Sequence, residues 1–139
     1  NALYGLSVNA VLQNEEGVNL GNVYESAVAQ ELHAHGFPLH YYDNKKKGEV
    51  DFLVDDYTSL EVLPIEVKSG KDFKRHRALD VFLANEDYSV KQAVVLSNNR
   101  EVTTASNGVT YMPIYYCMFF THPSEAHADV ILPELEPLI

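Results

Sequence analysis

Two acids and an amine in the middle of the chain, Asp51, Glu66 and Lys68, are of the types that hold a hard divalent cation and act on a phosphate ester. Two carboxylates that face one another repel, and beside a half-buried surface the repulsion grows unless a cation joins them. Magnesium, or manganese in its place, takes oxygen ligands, keeps several waters and needs only one or two protein carboxylates beside a substrate's phosphate oxygens, which Asp51 and Glu66 could supply. Lys68 could hold a water near the ion or stabilise charge on a pentavalent phosphate. The plainer alternative is a surface network in which Lys68 simply neutralises both acids.

Whether these groups meet depends on two strands. In residues 49–55, Val50, Phe52 and Val54 alternate with Asp51, Leu53 and Asp55; in residues 63–68, Leu63, Ile65 and Val67 alternate with Pro64, Glu66 and Lys68. Residues 56–60 read as a hairpin connection, and centring the turn between Thr58 and Ser59 sets Asp51 opposite Glu66. A slip by two residues would preserve the faces, whereas a slip by one would put the two apolar sets on opposite faces. The pattern therefore predicts Val50, Phe52 and Val54 on one face with Leu63, Ile65 and Val67, and the acids and amine gathered together.

Upstream, Leu20, Val23, Tyr24, Ala27, Val28 and Leu32 have the spacing of one helical face, and Gly36 and Pro38 supply the stop. Glu25 lies about 20° from Leu32 on a wheel of roughly 100° per residue, at the border of the buried stripe. It is either a fourth group of the site or an ordinary surface glutamate. Residues 39–42 read as a short strand and 43–48 as a polar turn with three lysines. Residues 73–84 predict a second amphipathic helix with basic first turns, 92–96 an interior strand, and 109–120 one or two further strands bent or placed at an edge by Pro113.

The chain has 139 residues and one cysteine, Cys117, which excludes an internal disulfide framework and a multi-thiolate metal cluster and suits a reducing cytoplasm. The longest aromatic and apolar stretch, 109–120, is interrupted by Thr110 and Pro113 and falls short of the roughly 20 residues of a spanning helix, so no membrane segment is expected. The net charge of −10 argues against a polyanion partner if spread evenly, but eight of the ten basic residues fall between Lys45 and Arg77. They are either solvated turn and helix residues or a local cationic rim that a phosphate backbone could approach. The six histidines offer no i, i+4 pair on a helix and are expected in surface or packing roles. Cys117 is expected as a buried, inert thiol, and the tyrosines could stack on bases, although aromatic residues in strands are more often core.

Three strings in this order, Gly21-Asn22-Val23-Tyr24-Glu25, Glu49-Val50-Asp51-Phe52 and Pro64-Ile65-Glu66-Val67-Lys68-Ser69-Gly70, followed by Tyr111-Met112-Pro113-Ile114-Tyr115, resemble a known family. It is the C-terminal domain of unknown function carried by bacterial and archaeal AAA-type ATPases, related to the PD-(D/E)XK restriction-endonuclease-like superfamily. The resemblance runs from about residue 20 to 116. It implies an α/β, restriction-endonuclease-like fold with a central mixed β-sheet flanked by α-helices, and magnesium-dependent hydrolysis of nucleic acid. By it, Asp51 and Glu66 are metal ligands together with the backbone carbonyl of Val67, Lys68 is the catalytic lysine, and Glu25 is the helix-borne acid. Residues 19–122 would form the nuclease-like domain, 1–18 a lead-in segment or the stump of a preceding ATPase part, and 123–139 a C-terminal tail. No phosphate-binding loop of the GxxxxGK[ST] type occurs, so the chain reads as a fragment whose N-terminal ATPase domain lies elsewhere, with DNA or a protein as partner. The rival reading is a catalytically inactive module that binds protein or DNA for the attached ATPase.

Overall fold

The apolar stripe beginning at Leu20 folds as expected. In the computed structural model, which describes residues 20–56 and 61–121, α1 spans Leu20–Ala34 and buries Val28 and Leu32 completely. Tyr24 and Ala29 pack beside them, whereas Ala27, expected on the same face, is exposed. Gly36 closes the helix at φ 81°. The Phe37 N–H donates to the Leu32 carbonyl and the Gly36 N–H to that of His33, both at 3.0 Å, the paired bonds of a Schellman turn. Phe37 and Leu32 then share one core, which fixes the angle at which the chain leaves α1.

The strands are β1 (His40–Asn44), β2 (Gly48–Asp56), β3 (Glu61–Lys68), β4 (Ala93–Ser97), β5 (Thr103–Thr104) and β6 (Val109–Pro113). They form a mixed sheet in the order β1-β2-β3-β4-β6-β5. β1 pairs antiparallel with β2 and β2 with β3; β3, β4 and β6 run parallel, and β5 returns antiparallel along β6. A second helix, α2 (Arg77–Leu83), lies in the crossover from β3 to β4. β4 is buried at every residue because both faces of the sheet are covered. Val94 and Leu96 face α1 with Phe52, Val54, Ile65 and Val67, while Ala93 and Val95 face α2 with Val109, Leu79 and Phe82. Burial of an aliphatic side chain as complete as that of Leu32, Ile65 or Leu79 contributes about 2 kcal/mol.

Three expectations are corrected. Val50 does not share a face with Phe52 and Val54 but packs in the core under α2. His40 pairs with Leu53 and Tyr42 with Val50, so Asp51 and Phe52 together stand against Tyr41, a β-bulge that reverses the alternation of β2. The second helix begins at Arg77, not at residue 73. The Arg75 N–H closes a turn on the Asp72 carbonyl at 3.0 Å, and His76 is drawn inward, where its Nε2 lies 2.7 Å from the Tyr111 hydroxyl. Phe73 packs edge-on against the same tyrosine. The segment after Pro113 is not a strand but a 3₁₀ helix, Ile114–Phe119, which buries Cys117 against α1. His35 at the end of α1 bonds the Phe120 carbonyl just beyond it. The two-residue β5 had no visible pattern in the sequence. The hairpin turn at Thr58 and Ser59, the lead-in at residues 1–18 and the tail at 123–139 lie outside the described residues.

Two substitutions test this packing. Gly48 sits at φ +98°, and a Cβ there would lie 2.8 Å from the Ala78 Cβ. Gly48→Ala is expected to destabilise the chain by about 1–3 kcal/mol, read as a lower urea midpoint, because it combines a left-handed backbone with displacement of α2. Tyr111→Phe leaves the Nε2 of His76, a residue only 4% exposed, without its partner. It is expected to cost about 1–3 kcal/mol in the same measurement.

Candidate active site

Asp51 lies near the start of β2, and Glu66 and Lys68 at the end of β3, so antiparallel pairing brings all three to one end of the sheet. Paired residues run from Asp56↔Glu61 to Phe52↔Ile65, the register expected from the sequence. Continued, it would set Asp51 opposite Glu66 and Val50 opposite Val67. The bulge intervenes. The Val67 N–H donates not to a β2 carbonyl but to the Asp51 carboxylate, at 2.7 Å from Oδ2. Within extended backbone the N–H and C=O of one residue leave the strand on the same edge. The carbonyl of Val67, the main-chain ligand implied by the resemblance, therefore faces the β2 side with Asp51.

Glu66 is 5% exposed, and its neighbours Ile65 and Val67 are anchored in the core beneath α1. Lys68 projects from the same face of β3, two residues on, and its Nζ lies 2.6 Å from Glu66 Oε1. Glu66 Oε2 is buried with no hydrogen-bond partner among the described residues. A buried carboxylate with one oxygen met by an ammonium and the other by nothing is costly, and a bound cation would remove the cost.

The electrostatics place Asp51 and Glu25 in the same neighbourhood. Burial pushes the Asp51 carboxyl up to about 7, assisted by the charges of Glu66 and Glu25 and opposed by the Val67 N–H and Lys68. Glu25, at the border of the α1 stripe as the helical wheel predicts, is also raised, first by burial and then by Glu66 and Glu49, with Lys68 acting the other way. Glu25 and Asp51 line a 270 Å³ cleft with Asp43, Glu49 and the exposed Tyr41. Asp43 and Glu49 were not foreseen as part of this acidic cleft; their position on either side of the β1–β2 turn was the available signal.

Among the described residues no set of three acidic, histidine or cysteine side chains closes around a single ion. The groups that could hold a divalent cation are Asp51, Glu66 and a main-chain oxygen, with the remaining positions left to water and substrate. The orphaned Glu66 oxygen and the crowding of like charge on Asp51 both suit a divalent cation. His76 belongs elsewhere. It is buried under α2, with Nδ1 3.1 Å from Asp80 Oδ1 but without hydrogen-bond geometry.

In the metal-free chain the raised Asp51 pKa has a defined consequence. The folded state holds its proton up to about pH 7, whereas the unfolded chain releases it near 3.8. More protons are bound in the folded state between these values, so stability is lost as pH rises through that window. Asp51→Asn is expected to flatten the dependence and, above pH 7, to stabilise the metal-free chain by on the order of 1–2 kcal/mol after solvent screening, read from urea midpoints between pH 5 and 8.

No curated protein matches the chain at a significant level. Among the described residues no helix is long and apolar enough to cross a membrane. Residues 20–117, from the first residue of α1 into the final 3₁₀ helix and including every acid and amine of the site, match the domain of unknown function DUF4143, and the chain belongs to that family.

Proposed function

We propose that the chain is the C-terminal nuclease-like part of an AAA-type ATPase, with a restriction-endonuclease-like fold of the PD-(D/E)XK kind, and that it hydrolyses phosphodiesters of nucleic acid with magnesium or manganese in a cytoplasmic setting. The observation that carries this reading is the buried Glu66 carboxylate, with one oxygen on Lys68 and the other without a protein partner, beside an Asp51 crowded by like charge. Asp51, Glu66 and the Val67 carbonyl would hold the ion. When bound, it would supply Lewis-acid polarisation of the phosphate and stabilise the departing 3′-oxygen.

The chain's own groups do the rest. Glu66 holds the Lys68 ammonium, from which Lys68 donates a hydrogen bond to the attacking water and orients it toward phosphorus. The Val67 N–H fixes the Asp51 carboxylate in its rotamer, so that ligand is in place before substrate arrives. Glu25, across the cleft, adds negative charge that favours cation uptake.

A second reading has its own support. The 2.6 Å contact lets Lys68 neutralise Glu66 without any ion, as in a catalytically inactive module that binds protein or DNA for the attached ATPase. The two separate on one experiment. With plasmid and single-stranded DNA and a titration of Mg²⁺ or Mn²⁺, the hydrolase reading expects cleavage that falls about 10²–10³-fold or more in Glu66→Gln and Lys68→Ala chains. It also expects calorimetric metal binding that is lost in Asp51→Asn. Cleavage unchanged by these substitutions, or none with any metal, would overturn it.

A further inference from the structure

Three consecutive lysines follow β1 in a turn whose shape is set locally. Asn44 Oδ1 accepts the N–H of Lys46 at 3.0 Å and that of Lys47 at 3.1 Å, and the Lys47 N–H also donates to the Asn44 carbonyl. The left-handed Gly48 then lets the turn press directly on Ala78 of α2. This contact builds a 540 Å³ open cleft, lined by Lys45, Lys46 and Lys47 from the turn and by Arg77, Ala78 and Val81 from α2. Among the described residues no carboxylate lines it. All four cationic side chains are exposed, and among the described residues none is within ion-pair distance of an acid.

On a chain with a net charge of −10, four unpaired cations around one opening form a local minimum for an anion on a body that otherwise repels one. A single small anion would meet that repulsion with few contacts. A polyanion meets several cations at once, and Arg77 offers a planar fork for phosphate oxygens. β2 leaves this turn at Gly48 and reaches Asp51 three residues later, about 10 Å at strand rise, so one extended polymer can touch both places.

We propose that the cleft between the Lys45–Lys47 turn and α2 grips the phosphate backbone of a nucleic-acid strand that runs on toward the acidic end of the sheet. The inference rests on the hydrolase reading only in taking the polyanion to be nucleic acid.

The test is fluorescence anisotropy of the 139-residue chain with a labelled oligonucleotide, as single strand and as duplex, in EDTA so that no metal chemistry contributes. Neutralising four phosphates predicts an affinity that falls about fifty-fold for a single strand, or about 150-fold for a duplex, between 50 and 200 mM salt. Replacing all four cations (Lys45→Gln, Lys46→Gln, Lys47→Gln, Arg77→Gln) is expected to weaken binding at least about tenfold and to reduce the salt slope by about 2.8 for a single strand or about 3.6 for a duplex. If that chain melts early, Arg77→Gln alone, expected to bind about threefold to tenfold more weakly with a slope lower by about one, is read instead. Equal affinity and slope in the variants would overturn the proposal. So would polyglutamate binding as tightly as the oligonucleotide, which would mark an acidic protein as the partner. A chain that cleaves nothing with any metal, but loses binding with the four cations, sinks the hydrolase reading and leaves the cleft standing. One that cleaves normally with the four cations removed does the reverse.

Discussion

Between His40 and Tyr42 the edge strand advances by two residues while β2 advances by three, and the acidic end of the sheet is organised around that mismatch. The extra residue turns Val50 into the core under α2 and takes the N–H of Val67 away from the β2 main chain. The Asp51 carboxylate fills the place of the missing acceptor. A buried N–H without an acceptor would be expensive, so the bulge and the acid stabilise one another. Without the acid, the bulge would leave a donor stranded.

The arrangement sets folding against charge. Asp51, Glu66 and Glu25 occupy a partly dehydrated corner in which each raises the cost of ionising another, and Lys68 offsets only part of it. Such groups persist where the surrounding structure holds them against their own repulsion. Here the holding elements are strong: β3 is fixed between β2 and β4, and Ile65 and Val67 anchor it on either side of Glu66. Glu66 is thus carried by a rigid strand rather than a loop, a placement that suits a ligand for an ion. The four cations of the cleft, by contrast, are presented on an exposed turn and the first residue of a short helix, with their charge facing solvent.

Much of this was legible in the residues. The α1 stripe and its glycine stop, the three-lysine turn, the interior β4 and the register of the β2–β3 hairpin follow from periodicity and turn chemistry. Each is a local property or a strong two-residue pattern. Alternation also holds on β3, where Glu66 and Lys68 share a face opposite Ile65 and Val67. It fails on β2, because Val50, Phe52 and Val54 look equally apolar whether or not a residue is inserted between two of them. The helix start was misplaced for a related reason. Phe73 fits a helical face, but it packs, as His76 bonds, against Tyr111, a residue far along the chain.

By itself, the sequence determined which residue types stand at which spacing: two acids and an amine at the mouth of a hairpin, a glutamate on the edge of a helix, a cationic turn upstream. Periodicity reports which face of an element is apolar, and that is decided within a few residues. The tertiary structure alone decided where the acids meet. The bulge depends on the fit of β1 against β2, the bond from Val67 to Asp51 spans 16 positions, and the unmet oxygen of Glu66 exists only because neighbouring strands and helices exclude water from it. Burial and like-charge crowding are sums over groups distant in the chain, so no local window of residues contains them.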